Sequence, residues 1–301
     1  MLNDRVRNHL HLHLIVFIWG FTAILGALIT IGAEALVWYR MSIAVILMFI
    51  YVRFIKKENL ALPPKVLARF LLGGILISSH WLAFFLAIKV SNVSVTLATL
   101  STGAFFASIL EPIFYRRRIV YYEILFGLLV IIGLYTMFRV ETEYGLGIIL
   151  ALLAALLSAS FSILNGKLIQ ENKASVISFY EIGFGVVCLS IYMAFTGGFG
   201  PSFFEVSLSD WTYLLILGSA CTAYAFIASV HVMRWISPYT VMLTINLEPV
   251  YGILMALIIF GEEESMSSSF YLGAAIILIT VILNGVLKNR IERKGRRLQQ
   301  S

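Results

Sequence analysis

The chain has 301 residues, of which 60% are hydrophobic and 13% charged, and its mean hydropathy is +0.93. Soluble domains are nearer half apolar and a quarter charged, so the composition excludes a soluble domain and indicates a polytopic membrane protein. The net charge is +6, but the basic residues lie in short clusters between apolar runs. We therefore expect them to set membrane topology, not to bind nucleic acid.

Ten apolar runs of about 20 residues predict ten membrane-spanning helices and an all-α membrane protein. Their predicted limits are 10–30, 35–54, 67–88, 93–115, 119–138, 145–168, 174–196, 210–233, 238–260 and 269–287. The first run follows a basic segment, as in a signal peptide, but it is long enough to span and has a counterpart near span six. The connections are too short for a soluble catalytic domain, so the chemistry lies in or near the membrane.

The chain contains an internal repeat. Sliding it by 146 residues lays 91–129 onto 237–275 without a gap, and both segments read as an apolar run, a break and a second apolar run. The spans then form two five-helix units, 10–138 and 145–287, followed by a basic cytoplasmic tail at 288–301. Because each unit has an odd number of spans, the second enters from the opposite side, which makes the repeat inverted.

The basic residues orient the protein. With the N-terminus inside, nearly all of the 22 lysines and arginines fall in cytoplasmic segments; Lys89 and Arg139 lie outside, and Arg40 lies within span two. The positive-inside rule therefore predicts a multi-pass plasma (inner) membrane protein with both termini in the cytoplasm.

Span nine carries Glu248 and Pro249 near its middle. A charge at that depth costs about 2.5–3.5 kcal/mol, so Glu248 is predicted to bind a solute or to carry a coupling proton, with a purely structural carboxyl as the alternative. Pro249 has no N–H and leaves the Ile245 carbonyl free as a second acceptor. The neighbouring Asn246 is a candidate pocket donor or a helix-to-helix hydrogen-bonding group.

Two further polar residues each have two possible roles. Arg40 could receive an anionic group of a substrate or extend to the outer headgroups. Thr102, beside Gly103, lies on the corresponding face of span four and could line a pocket or pack against a neighbouring helix.

Aromatic residues could complete a pocket. Trp19 in span one, His80 in span three, Tyr224 in span eight and Tyr251 in span nine are candidates. Packing or contact with lipid is the alternative for each, although a histidine ring nitrogen in hydrocarbon also requires a partner.

The pattern resembles the EamA branch of the drug/metabolite transporter superfamily. The resemblance rests on Leu247–Pro249 followed by Phe260–Glu262, on Arg40 in span two, on glycines in spans five and ten, and on two five-span repeats over roughly residues 10–287. It implies a central cavity lined by spans one to four and six to nine, with spans five and ten peripheral. The first repeat departs from the motif, since Thr102–Gly103 stands opposite Glu248–Pro249, and Tyr115–Arg116 opposite Gly261–Glu262.

The leading hypothesis is a secondary active transporter that moves a small organic solute, such as a metabolite, an amino acid or a drug, by alternating access. A polytopic membrane enzyme is the alternative, but the loops lack paired acid–base or metal-binding groups. A channel is a third possibility. No cofactor is indicated; proton coupling and homo-oligomer formation are left open.

The topology prediction can be tested by labelling. Cysteines placed at Glu263 and Arg117 should react with impermeant reagents from opposite sides of the membrane, because the basic residues lie almost entirely on one side. Labelling of both from outside intact cells would contradict the ten-span arrangement.

Overall fold

The structure is a computed structural model that describes residues 4–116, 121–140, 142–264 and 266–298. The described residues form helices joined by short turns, and no strand occurs among them. This result confirms the all-α fold that the hydropathy predicts.

The helices follow one another with few long connections. The first half contains α1 (Asp4–Leu28), α2 (Ala33–Ile50), α3 (Pro64–Val90), α4 (Val93–Leu100), α5 (Gly103–Phe114) and α6 (Tyr121–Val140). The second half contains α7 (Gly145–Glu171), α8 (Ala174–Thr196), α9 (Pro201–Phe204), α10 (Leu208–Gly218), α11 (Ala225–Val232), α12 (Pro238–Ile245), α13 (Glu248–Phe260) and α14 (Ser268–Leu298). Two π-helical segments extend these helices: Tyr51–Ile55 continues α2, and Ser219–Tyr224 joins α10 to α11.

Eight helical segments of the described chain are long and apolar enough to cross a membrane. They are Arg7–Leu28, Ala33–Ile55, Pro64–Val90, Val93–Phe114, Gly145–Glu171, Ala174–Thr196, Leu208–Val232 and Pro238–Phe260. The predicted spans five and ten coincide with α6 and α14, whose apolar segments, Leu125–Thr136 and Ser268–Asn284, are shorter. The count of ten therefore stays a prediction. Helix α14 continues to Leu298, so most of the predicted basic tail is helical, and residues 299–301 lie outside the described range.

The ninth predicted span is broken into α12 and α13. The break falls at Asn246 and Leu247, directly before Glu248 and Pro249. Proline cannot donate to the carbonyl four residues earlier, so the helix is interrupted at this point and Glu248 becomes the first residue of a new helix.

The fourth predicted span is broken at nearly the same place in the repeat, between α4 and α5. No proline is present there. Instead the hydroxyls of Ser101 and Thr102 donate to the carbonyls of Ala98 and Thr99, at 2.6 and 2.8 Å, and compete with the backbone N–H groups of the helix. The two halves thus reach a similar broken helix by different local chemistry.

Helices from the two halves pack against each other. Helix α3 lies along α7 and α8, α1 packs against α11 and α13, and α2 packs against α8 and α10. Helices α6 and α14 pack mainly on each other, away from these contacts, which fits the peripheral place expected for spans five and ten. The centre of the bundle is therefore built from both halves.

Basic groups from four segments meet at one end of the bundle, which we call the basic end. His11 of α1, Lys56 beyond α2, Lys173 before α8 and Arg234 beyond α11 line one cavity there. The N-terminal ends of α1 and α8 therefore lie at the same end of the bundle as the C-terminal ends of α2 and α11. Of the predicted cytoplasmic cluster Arg116–Arg118, residues 117 and 118 lie outside the described range.

The opposite end is closed by polar contacts of its own. Asp210, in the first turn of α10, accepts hydrogen bonds from the backbone N–H and the hydroxyl of Thr30, at 2.8 and 2.7 Å. The Lys89 ammonium donates to the carbonyl of Ile29. These contacts tie the end of α1 to α10 and α3.

Close packing of α3 on α8 gives a stability prediction. A Cβ at Gly74 would lie 2.6 Å from the backbone carbonyl oxygen of Glu181, whereas a Cβ at Gly183 would meet nothing within 4 Å. We expect Gly74→Ala to destabilise the protein by about 1–3 kcal/mol because the two helices must separate. Gly183→Ala should be neutral or stabilising by up to about 1 kcal/mol. Thermal unfolding in detergent checks both, and equal melting temperatures would contradict the packing.

Candidate functional site

A narrow cavity lies between the two halves, near the middle of the spans. Its polar groups include Trp19, Arg40 and His80 from the first half and Glu248 from the second. Aromatic and aliphatic side chains form most of the rest of the wall. The volume is about 60 Å³, which is room for a few water molecules and much less than the roughly 300–1,000 Å³ of ligand pockets. We call this space the central cavity.

Arg40 is buried in the wall of the central cavity, with only 1% of its surface exposed. Its Nε and Nη2 donate to the hydroxyl oxygen of Thr222 at 3.0 and 2.8 Å, and the guanidinium lies 4.2 Å from the ring centroid of Trp81. The cation therefore does not extend to the outer headgroups. Its Nη1 makes no hydrogen bond within the described chain, so one donor edge is left for another group.

Thr222 is held in place by the π-helical segment Ser219–Tyr224. Its hydroxyl donates to the carbonyl of Leu217, five residues earlier, at 2.6 Å. Its oxygen is then free to accept from the two nitrogens of Arg40. In this segment the Cys221 carbonyl also accepts from the indole N–H of Trp19 at 3.2 Å. One irregular segment of α10–α11 thus positions two cavity side chains of the first half.

Glu248 begins α13 at the helix break and is 6% exposed. The N-terminal end of a helix favours negative charge, because its first N–H groups lack partners within the helix. Among the described residues, the Glu248 carboxyl forms no hydrogen bond and no ion pair of 4.0 Å or less. It shares the central cavity with Arg40 without contacting it.

His80 is oriented by the backbone of α7. Its Nδ1 lies 2.8 Å from the carbonyl oxygen of Ala154. A carbonyl only accepts, so Nδ1 carries the proton, and in the neutral ring Nε2 is an acceptor. The ring stacks on Phe84 at 6.1 Å between centroids. His80 thus gives the wall an acceptor with a fixed orientation.

Four other predicted site residues do not line the central cavity. Thr102 uses its hydroxyl in the break between α4 and α5. Tyr224 lies in the cavity at the basic end, where its hydroxyl pairs with Nε2 of His11 at 2.8 Å. Tyr251 packs edge-on against Phe17 on the contact of α1 with α13. Asn246 is buried at the helix break, and its Nδ2 makes no hydrogen bond within the described chain.

Three other residues at the site carried little or no sequence signal. Thr222 lies among small residues and becomes a ligand of Arg40 only through the fold, 182 positions away. Ser158 and Ser162 lie one helical turn apart on α7 and both line the cavity, so their spacing is the one local sign of a polar face.

Glu181, at nearly the place in the second half that Arg40 has in the first, faces elsewhere. It is fully buried on α8, where its Oε2 accepts from the Asn165 side-chain N–H group at 3.1 Å. A Cβ at Gly73 would overlap its carboxyl, so the side chain fills the space between α3 and α8. Asn165 thus joins α7 to α8 by a side-chain hydrogen bond.

The sequence matches the EamA-like transporter family over residues 9–139 and 145–286, one match in each half. The chain belongs to the EamA-like transporter family. It is 26% identical over 252 residues to an uncharacterised transporter of Clostridium kluyveri, covering 80% of this chain and 79% of that one. An uncharacterised transporter of Bacillus subtilis is 22% identical over 229 residues, covering 74% and 70%.

A crystal structure with the same fold aligns with 95% of this chain, and the alignment includes 99% of the crystallised chain. The TM-score is 0.67 and the sequence identity 16%. At that identity the likeness concerns the fold alone. Family membership and the apolar helices together define a multi-pass membrane transporter with a two-repeat architecture.

The Arg40–Thr222 contact gives a prediction at the site. Thr222→Val keeps the side-chain volume but removes the acceptor of two charged donors, so we expect a loss of about 2–3 kcal/mol of stability. Thr222→Ser keeps the hydroxyl and should lose much less. Thermal unfolding of both variants checks this, and equal melting temperatures would show that Arg40 is held by other contacts.

Proposed function

We propose that this protein is a secondary active transporter that moves a small organic solute across the plasma membrane by alternating access. In this proposal ten helices form two inverted five-helix repeats with both termini in the cytoplasm. The family membership and the two matched halves support it. The position of the central cavity between the halves supports it too, because transporters with inverted repeats bind substrate near the midplane at the repeat interface.

The observation that carries the proposal is the separation of Arg40 and Glu248 within one cavity. Arg40 keeps an unused N–H edge, and Glu248 has no ion pair or hydrogen bond within the described chain. Opposite charges buried without contact are costly, and a solute that contacts both would relieve that cost. The site therefore suits a solute with an acceptor for Arg40 and a donor for Glu248, such as a zwitterion.

The remaining wall adds a requirement on shape. Trp81, His80 and Phe226 line the cavity, and aromatic rings contribute large apolar contact areas. A solute with an apolar or aromatic body and a small polar head meets both parts of the wall.

The small volume points to a carrier. A cavity of about 60 Å³ cannot hold an organic solute, so loading requires the halves to move apart. The helix breaks at Thr102 and at Asn246 give α4–α5 and α12–α13 places to bend near the cavity. In this proposal the break regions act as hinges while the packed helices move as rigid units.

Glu248 also suits proton coupling. When the cavity opens to either side, water reaches the carboxyl and favours its anion; when the cavity closes, the neutral acid is favoured unless a cation lies close. A proton can then be taken up on one side and released on the other. Arg40 is the cation that faces Glu248 across the cavity, and His80 is the other titratable group in the wall.

The experiment is transport by the purified protein in proteoliposomes, first with a panel of amphipathic and zwitterionic solutes with and without a pH gradient. With a transported solute identified, Glu248→Gln should insert normally and lose pH-gradient-driven uptake, while solute exchange is retained. The amide keeps the size and hydrogen bonding of the carboxyl but cannot carry the proton.

The matched control is Glu262→Gln, which removes an exposed carboxyl beyond α13. It should transport as the wild type does. Wild-type rates with unchanged pH dependence in Glu248→Gln would show that the Glu248 carboxyl has only a structural role. Absence of transport for the whole panel by the wild type would count against the assignment of substrate class.

A further inference from the structure

A second and larger cavity, of about 680 Å³, opens at the basic end. It lies between the end of α2 with its π-helical extension, the start of α8, and the stretch from Ser219 to Arg234. Among the described residues it shares no lining residue with the central cavity. We call it the basic cleft.

The rim of the basic cleft is positively charged. Lys56, Lys173 and Arg234 line it, and Glu58 is the one carboxylate among its described lining residues. Glu58 is already engaged, since it lies 3.5 Å from the Lys173 ammonium and accepts a hydrogen bond from the Ser175 hydroxyl. Two cations are thus left without a carboxylate partner in the described chain.

Those two cations have only weak or neutral partners. The Lys56 ammonium lies 5.7 Å from the ring centroid of Tyr51, and Nη2 of Arg234 donates to the carbonyl of Asn172 at 3.2 Å. His11 and His231 also line the cleft and add ring N–H donors. The rim therefore favours an anion, and its several donors match the oxygen atoms of a phosphate group.

Below the rim the lining of the cleft is mostly apolar. Ser219, Ala223, Ile227 and His231 recur every four residues and form one wall, which runs about 18 Å at 1.5 Å per residue. Leu47 and Met48 of α2 lie in the facing wall. The hydroxyl of Ser219 donates a hydrogen bond to the Leu215 carbonyl, so its donor is already satisfied. This is the shape of a site for a molecule with an anionic head and an apolar tail.

The cleft is continuous with the lateral surface of the bundle. Leu47 and Tyr224 line it and are 38% and 45% exposed. Beside them on α2, Ile46 and Ile50 are 60% and 43% exposed, as expected of a surface in contact with hydrocarbon. An occupant can therefore enter sideways from the bilayer.

We propose that the basic cleft binds one anionic phospholipid, with the phosphate at Lys56, Arg234 and Lys173 and an acyl chain along the wall from Ile227 to Ser219. A soluble phosphate ester has the same headgroup chemistry, but it would leave the apolar wall uncovered. Burial of that wall by an acyl chain favours the lipid. Basic pockets between membrane helices suit anionic headgroups for the same electrostatic reason.

Occupancy of the cleft also bears on the central cavity. The segment Ser219–Tyr224 presents Ala223 and Tyr224 to the cleft and Thr222 to Arg40. A bound lipid would thus pack against the segment that holds the Arg40 side chain.

The test is native mass spectrometry of the purified full-length protein in neutral detergent. Dioleoyl-phosphatidylglycerol, dioleoyl-phosphatidylcholine and soluble glycerophosphate serve as probes. We expect one phosphatidylglycerol to be retained at concentrations at which phosphatidylcholine is not, with no displacement by glycerophosphate. Equal retention of the two lipids overturns the proposal, and full displacement by glycerophosphate assigns the cleft to a soluble anion instead.

Variants locate the site. Lys56→Gln combined with Arg234→Gln should weaken phosphatidylglycerol binding roughly 25-fold, at about 5-fold for each cation. Arg53→Gln combined with Lys65→Gln is the matched control, because Arg53 lies on the π-helical extension of α2 and Lys65 in the first turn of α3, both outside the cleft lining. Equal loss in the control pair overturns the location.

A steric variant tests the apolar part separately. Ile227→Trp fills the cleft without changing its charge and should also reduce retention, while the melting temperature in lipid-free detergent stays near that of the wild type. Unchanged retention in a folded Ile227→Trp protein overturns the placement of the acyl chain.

Discussion

The structure depends on the solvation of the Arg40 guanidinium inside a bundle of apolar helices. Little water reaches this group, so the protein has to supply its partners. It does so with one hydroxyl, that of Thr222, and with the face of Trp81. The π-helical segment Ser219–Tyr224 allows the Thr222 hydroxyl to donate five residues back while its oxygen accepts from Arg40. An irregularity in one half thus stabilises a charge contributed by the other.

The two helix breaks impose the second constraint. A continuous helix has its polar ends at the membrane surfaces, whereas a break brings unpaired N–H and C=O groups to the middle of the bundle. In the second half this follows from Pro249, and it places Glu248 at the positive end of a helix dipole. In the first half Ser101 and Thr102 produce the break without adding a charge. Only one of the two breaks therefore carries an ionisable group.

The hydropathy of the sequence predicted the helices well, and the high cost of charge in hydrocarbon pointed to Glu248 and Arg40. The side-chain partners of these two residues were harder to predict from the sequence. Thr222 contacts Arg40 only because α2 packs on α10 and on its π-helical extension. Tyr224 was expected in the central cavity, but the wider turn of the π-helical segment changes which residues share a face. Helical periodicity of 3.6 residues cannot anticipate that rotation. Thr102 was also a candidate for the cavity wall, but its hydroxyl donates a hydrogen bond to the carbonyl of Thr99 in the preceding turn.

Related positions in the two halves have diverged. Arg40 on α2 and Glu181 on α8 are both buried, yet Arg40 faces the central cavity while Glu181 is bonded to Asn165 and packed against Gly73. A cavity on the interface of two repeats needs groups of different character from its two sides if it is to hold one asymmetric solute. With Arg40 from one half and Glu248 from the other, separation of the halves also separates the two charges. In the proposed carrier, movement of the repeats would therefore separate the two groups that contact the solute, and its release would need no further change in either half.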